Sequence, residues 1–120
     1  MKIKIVALNV VAVAVALLVM SATFATKGWT IPENYKTKKS TVKSDAKSIA
    51  AGKTIYMAKC KSCHNEDGKK NGNLGDLKSK ADGEIYYMSI VGNGKMPNFE
   101  KKITEESDRW SLVNYIRSIK

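Results

Sequence analysis

The sequence predicts an all-α domain of three main helices, and three observations carry that expectation. Ile49, Ala50, Lys53, Tyr56, Met57 and Cys60 recur at three- and four-residue steps, the period of a helix with one inward face. Trp110, Val113 and Tyr115–Ile116 repeat the pattern near the C-terminus. Between them a third, shorter apolar pattern ends at Gly92-Asn93-Gly94, and no strand pattern precedes or follows it.

Taken from the N-terminus, Lys2 and Lys4 precede an apolar run from Ile5 to Met20, broken only by Asn9 and followed by Ser21-Ala22-Thr23-Phe24-Ala25. A basic start, an apolar middle and small residues before a cut make residues 1–25 a secretory signal peptide, cleaved after Ala25. The alternative is an uncleaved anchor. The Ile5–Met20 run is short for a bilayer span of about 20 residues, although extending it from Ile3 to Phe24 restores the length. Residues 26–45 hold Pro32 and many Lys, Ser and Thr without a helical period, and read as a basic extended arm or linker. Trp29, Ile31 and Tyr35 either anchor that arm or move with it.

Residues 46–120 form the expected domain. Its first helix runs from Ala46 to Lys59, with Ser44 and Asp45 as caps. A polar, Gly-rich loop follows from Asn65 to Gly75, with Leu74 and Leu77 turned inward. A short helix from Asp82 or Glu84 to Val91 lines its inner side with Ile85, Met88 or Tyr86, and Ile90. The last helix starts at about Glu105 under a Thr104 cap, with Glu105 and Glu106 facing the positive helix end.

The chemistry is concentrated in Cys60-Lys61-Ser62-Cys63-His64. C-x-x-C-H is a covalent haem attachment pattern. On a helical turn the two sulfurs project from one face and reach two vinyl groups along one edge of the ring. His64 then lies beneath the iron as an axial nitrogen ligand. A thioredoxin-like dithiol needs a strand before the motif. A structural zinc needs a fourth ligand that neither cysteines nor histidines remain to supply. A disulfide is the other rival in an exported chain. One covalent haem c is the expectation, and a domain this small without it is expected to be poorly ordered.

A second axial ligand must be a methionine, because His64 is the sole histidine. Met57 lies on the helix that carries Cys60 and cannot cross the ring. Met88 falls in a helix, where a core role prevails. Met96 stands in a loop beside Pro97, and is the expected ligand on the opposite face.

On Cys60-Lys61-Ser62-Cys63-His64 and Gly94-Lys95-Met96-Pro97, the chain resembles the class I c-type cytochromes, small monohaem electron carriers, over roughly residues 46–120. Gly52 and Tyr56 match the glycine and aromatic of that family's first helix, and Tyr115 the aromatic of its last. The resemblance implies a small cytochrome c fold in which the terminal helices cross near Gly52, and a Trp110 beside the haem or in the ordinary core. The chain departs from the family in the shortness of the stretch between His64 and Met96.

The formal charge is +10, and residues 26–48 carry six lysines against Glu33 and Asp45. Export and the lack of a binding motif exclude nucleic acid. An acidic face of a redox-partner protein, or an anionic membrane surface, is the expected partner. Lys59, Lys61, Lys95, Lys101 and Lys102 are the docking candidates, with plain solubility as their other role. The functional expectation is a one-electron carrier, not an enzyme, periplasmic or membrane-associated on the extracytoplasmic side. The alternatives are an electron-transfer subunit of a larger respiratory complex, and a gas- or peroxide-reactive haem protein if Met96 is not a ligand. A carbonyl placed by Pro97 or a neighbour is expected to accept a hydrogen bond from the second His64 nitrogen.

Overall fold

Asp45 starts the principal helix by a reciprocal pair of bonds. Its carboxylate accepts from the Ser48 amide at 2.8 Å, and its own amide donates to Ser48 Oγ at 3.1 Å, a capping box that satisfies two backbone donors. The structure, a computed structural model, describes residues 29–120. The expected signal peptide and the first residues of the arm lie outside the described residues.

Within them α1 is a single turn at Glu33–Lys36, α2 spans Ala46–Lys59, and α3 is the turn Lys61–His64. A 3-10 helix follows at Leu74–Ser79, then α4 at Asp82–Tyr86, which continues as a π-helical turn at Tyr87–Val91. The last helix, α5, spans Glu106–Ser118. No strand occurs among the described residues. The fold is all-α, as the sequence predicts.

Two local details differ from the expectation. Helix α5 begins at Glu106, with Glu105 in the cap position and no side-chain cap bond, so Thr104 is not its cap. Glu106 and Asp108 in the first turn favour the positive helix end instead. The helix expected from Asp82 to Val91 widens into a π-turn halfway. Ser89 Oγ donates to the Ile85 carbonyl at 2.8 Å, competing with the backbone for it. The Gly92 amide closes the turn on Tyr87 O at 3.0 Å, with Gly92 at φ 76°.

Helices α2 and α5 form the main helix pair. They cross at Gly52, where an added Cβ would collide with the Ser111 carbonyl and lie 2.8 Å from Tyr115 Cβ. Around that crossing Tyr56, Trp110, Leu112 and Val113 are fully buried with Ile85 and Ile90, each aliphatic side chain worth about 1.5–3 kcal/mol when removed from water. Leu74 and Leu77 pack on this core from the 3-10 helix. Among the described residues no helix is long and apolar enough to cross a membrane.

The compact unit begins at Ile31, so the later part of the basic arm is packed rather than free. Tyr35 sets its ring edge-on to Tyr87 with centroids 4.9 Å apart, and Gly83 admits the Tyr35 and Lys38 carbonyls where a Cβ would collide. Buried Asn114 donates to the carbonyls of Val42 and Lys43 at 3.4 and 3.3 Å, and to Ser48 Oγ at 3.2 Å. Two buried polar side chains thus satisfy a strip of arm backbone. Period-based reading missed this because the strip is held by hydrogen bonds, not by an apolar stripe.

Candidate haem-binding site

Tyr56 positions the Cys60–His64 turn. It lies one helical turn before Cys60, is wholly buried, and donates its hydroxyl to the Asn65 carbonyl at 2.6 Å. Burial, then the nearby Cys60, pushes its phenol up to about 12. Asn65 turns the chain at φ 61°, a left-handed conformation that asparagine tolerates better than most residues. Helix α2 therefore passes into the motif with little freedom.

Both cysteines are free thiols, Cys60 buried and Cys63 exposed. No disulfide joins them. Burial, with Cys63 nearby, pushes the Cys60 thiol up to about 11. His64 is half-buried, and its Nδ1 lies 3.0 Å from the Lys70 carbonyl. A carbonyl only accepts, so Nδ1 carries a proton, and in the neutral ring Nε2 then holds the lone pair. The expectation that Pro97 or a neighbour places this carbonyl is corrected: Lys70 supplies it. The Lys70 amide also bonds back to His64 O at 3.2 Å, and Asn71 Nδ2 donates to Cys63 O at 2.8 Å. Asn71 reaches that carbonyl from φ 57°. The Asn71-Gly72 dipeptide signals a turn in the sequence, but not which carbonyl the turn aims.

Met96 is fixed by the turn before it. Its amide donates to Asn93 Oδ1 at 3.0 Å, and the Asn93 amide returns to Met96 O at 3.1 Å. Gly92 permits this, since a Cβ there would collide with the Met96 carbonyl. Beyond Met96, the Phe99 amide bonds Ile90 O at 2.8 Å. Arg109 then holds two carbonyls of the same loop, Ile103 O and Glu100 O, both at 2.7 Å. The Arg109 guanidinium also donates to Tyr86 OH at 3.1 Å, and that hydroxyl donates to Glu106 at 2.9 Å. Trp110 Nε1 donates to the other oxygen of Glu106 at 3.1 Å. Trp110 is thus a core residue with its polar atom satisfied, its ring 4.7 Å from that of Tyr86. Sequence patterning found none of Lys70, Asn71, Arg109 or Glu106 as supports of the site.

The structure brings Cys60 into the buried core cluster and packs Met57, Leu74, Leu77 and Met96 against that cluster, each partly uncovered. Cys63 is exposed, and His64 is half-buried like those four side chains. Two unpaired thiols, an imidazole with a free Nε2, a thioether and half-covered apolar side chains make a donor set that suits a flat apolar macrocycle with an iron centre.

A helical domain with this donor set defines a class, the c-type cytochromes, whose haem transfers electrons. Within that class, the family described as Cytochrome C oxidase, cbb3-type, subunit III matches residues 47–116, and the chain belongs to it. It is also similar to the cytochrome bc1 complex cytochrome c subunit of Corynebacterium diphtheriae, 27% identical over 81 residues. That match covers 63% of this chain and 29% of the relative, so the chain spans less than a third of the relative's length.

Proposed function

We propose that the chain is a one-electron carrier domain, not an enzyme, with a single haem joined to Cys60 and Cys63 and ligated by His64 and Met96. The observation that carries this reading is the His64–Lys70 hydrogen bond at 3.0 Å, which orients the ring and selects the neutral tautomer whose Nε2 is the ligating nitrogen. When bound, the haem supplies reversible cycling between ferric and ferrous iron. The protein's own residues do the rest. Lys70 O holds the His64 proton at Nδ1 and so raises the basicity of Nε2. Arg109 and Asn93 hold the Met96 loop in one position, so both ligands stay in place in either oxidation state. The Met96 thioether would hold the iron and favour its reduced form, raising the potential. Lys59, Lys61, Lys95, Lys101 and Lys102 are exposed and suit brief docking on an acidic partner face, although Lys61 already pairs with Glu66 at 2.8 Å. Residues 1–25 act as an export signal or anchor in this reading, placing the domain on the extracytoplasmic side.

The decisive test is the state of the iron. The ferric protein is expected to show the weak red-edge charge-transfer band of a methionine–haem bond, and the ferrous protein to resist carbon monoxide. Absence of the band with ready carbon monoxide binding would mean that a gas- or peroxide-reactive haem protein is the better reading.

A second reading has a specific observation behind it. The matched family is described as a subunit, and the similar protein is named as a subunit of a bc1 complex. Under that reading the domain passes electrons inside a respiratory assembly instead of between free partners. Co-purification with membrane oxidase or bc1 components under mild detergent supports it; a monomer that reduces a terminal oxidase in solution argues for the free carrier.

A further inference from the structure

A hollow of about 520 Å³ lies among Lys36, Lys38, Lys39, Lys78, Lys80 and Arg117, and none of the four proposed haem residues lines it. Three separate stretches of chain bring these cations together: the packed arm, the end of the 3-10 helix, and the last turn of α5. Like charges gathered on one concavity repel one another, the more so where walls of low dielectric focus their field. The two acids on its wall offset only part of this positive charge. Asp82 is committed to Arg117, 2.6 Å away, and Glu84 accepts from the Ala81 amide at 3.1 Å to close the start of α4. Lys36 and Lys38 pair with Glu33 and Glu106 at 3.3 and 3.4 Å. No ion pair engages Lys39, Lys78 or Lys80 among the described residues.

Arg117 adds an independent observation. Its guanidinium is held by the carbonyls of Lys78 and Lys80 at 3.3 and 2.8 Å, so it is fixed before any ligand arrives. A preset guanidinium flanked by mobile ammonium groups is the donor set that phosphate oxygens take. The volume falls in the range of small-ligand sites, about 300–1,000 Å³, and exceeds what a single small anion needs.

We propose that this hollow binds a phosphate-bearing anion carrying more than one phosphoryl charge. The ligand is either a soluble oligophosphate or the clustered phosphate headgroups of an anionic lipid surface. Lys78, Lys80 and Lys39 would bind the phosphate oxygens, with Arg117 as the fixed donor.

The experiment measures binding of inorganic tripolyphosphate to the haem-loaded full chain by calorimetry at low salt. A parallel arm measures flotation with phosphatidylglycerol vesicles against phosphatidylcholine vesicles. The variant K78Q/K80Q is compared with K53Q/K69Q, which removes the same charge at positions that do not line the hollow. One-to-one binding of tripolyphosphate, weakened about tenfold or more by K78Q/K80Q and little by K53Q/K69Q, is the expected result. Selective loss confined to the anionic vesicles assigns the same site to lipid headgroups. No binding in either arm, or equal loss in both variants, would overturn the proposal, since net charge alone would then account for the data. Unchanged haem spectra and circular dichroism keep a folding defect from imitating the result.

Discussion

The backbone of Gly52 in α2 lies against the carbonyl of Ser111 in α5, so close that a single added carbon would collide with it. This contact sets the crossing of the two longest helices, and through α2 it sets where Cys60 begins the motif. Glycine inside a helix costs about 1 kcal/mol against alanine, a loss tolerated here because no other residue lets the backbones meet. Gly52→Ala is expected to lower stability by about 1–3 kcal/mol, the usual scale of overpacking, despite its better helix propensity. Denaturant unfolding of the haem-loaded protein measures this. A neutral or stabilising result would mean that the helices can slide apart at little cost.

Tyr56→Phe removes one of two donors to Asn65 O, which keeps the Gly68 amide at 3.2 Å. The expected loss is about 0.5–1.5 kcal/mol at neutral pH. The phenol's pKa is raised by burial from 10.0 to about 12 in the folded protein, so the folded state favours the protonated form. Its contribution is therefore fully present below pH 10.0 and is lost as pH rises through about 12. The gap between wild type and Tyr56→Phe is expected to narrow over that window, read from denaturation midpoints. A constant gap would show that the hydroxyl is not buried as described.

Glu106 gives the opposite sign. Burial raises the pKa of its carboxyl, but the bonds from Tyr86 and Lys38 and the charge of Arg109 outweigh burial and hold it below 4.5. A depressed carboxylate contributes stability above its unfolded pKa, and that stability disappears as pH falls through the folded value. The wild type is therefore expected to lose stability below about pH 4.5 more steeply than Glu106→Gln. Acid titration of both, followed by tryptophan fluorescence, tests this through Trp110, which bonds to the same carboxylate at 3.1 Å.

Met96→Ala is expected to abolish the charge-transfer band, open the iron to carbon monoxide and lower the reduction potential, with helix content retained. The loop is anchored by Asn93 and Arg109, so its backbone does not depend on the methionine side chain. An unchanged potential would assign the second ligand to another residue.

Replacing both cysteines, Cys60→Ser with Cys63→Ser, is expected to leave a poorly ordered chain. Part of the core then loses its apolar cover, and iron ligation no longer contributes to folding. Far-ultraviolet circular dichroism and hydrogen exchange read this directly. Native-like protection in the double variant would show that α2 and α5 suffice by themselves.

Helix α2 was legible to the residue because two codes agree there: a capping Asp45 and an apolar stripe at helical spacing. The C-x-x-C-H pentapeptide was legible for a different reason, since its chemistry is local and needs no distant partner. Lys70 and Asn71 were not, although both lie within a few residues of His64. What makes them part of the site is a backbone carbonyl and a side-chain amide, groups present almost anywhere in a chain and meaningful only once a turn has aimed them. The sequence leaves the arm open between packed and free on the same ground: lysines and threonines carry no apolar period, and Asn114 finds its carbonyls from the far end of the chain.

The sequence alone therefore determined the class of helices, a candidate attachment motif and a short list of candidate ligands, because residue type and local spacing encode these. Only the tertiary structure decided which carbonyl orients His64, how the Met96 loop is tied to α5, and that three basic stretches converge around Arg117. Those are relationships between groups far apart in the chain or lacking side-chain identity, and they exist only after the helices have packed.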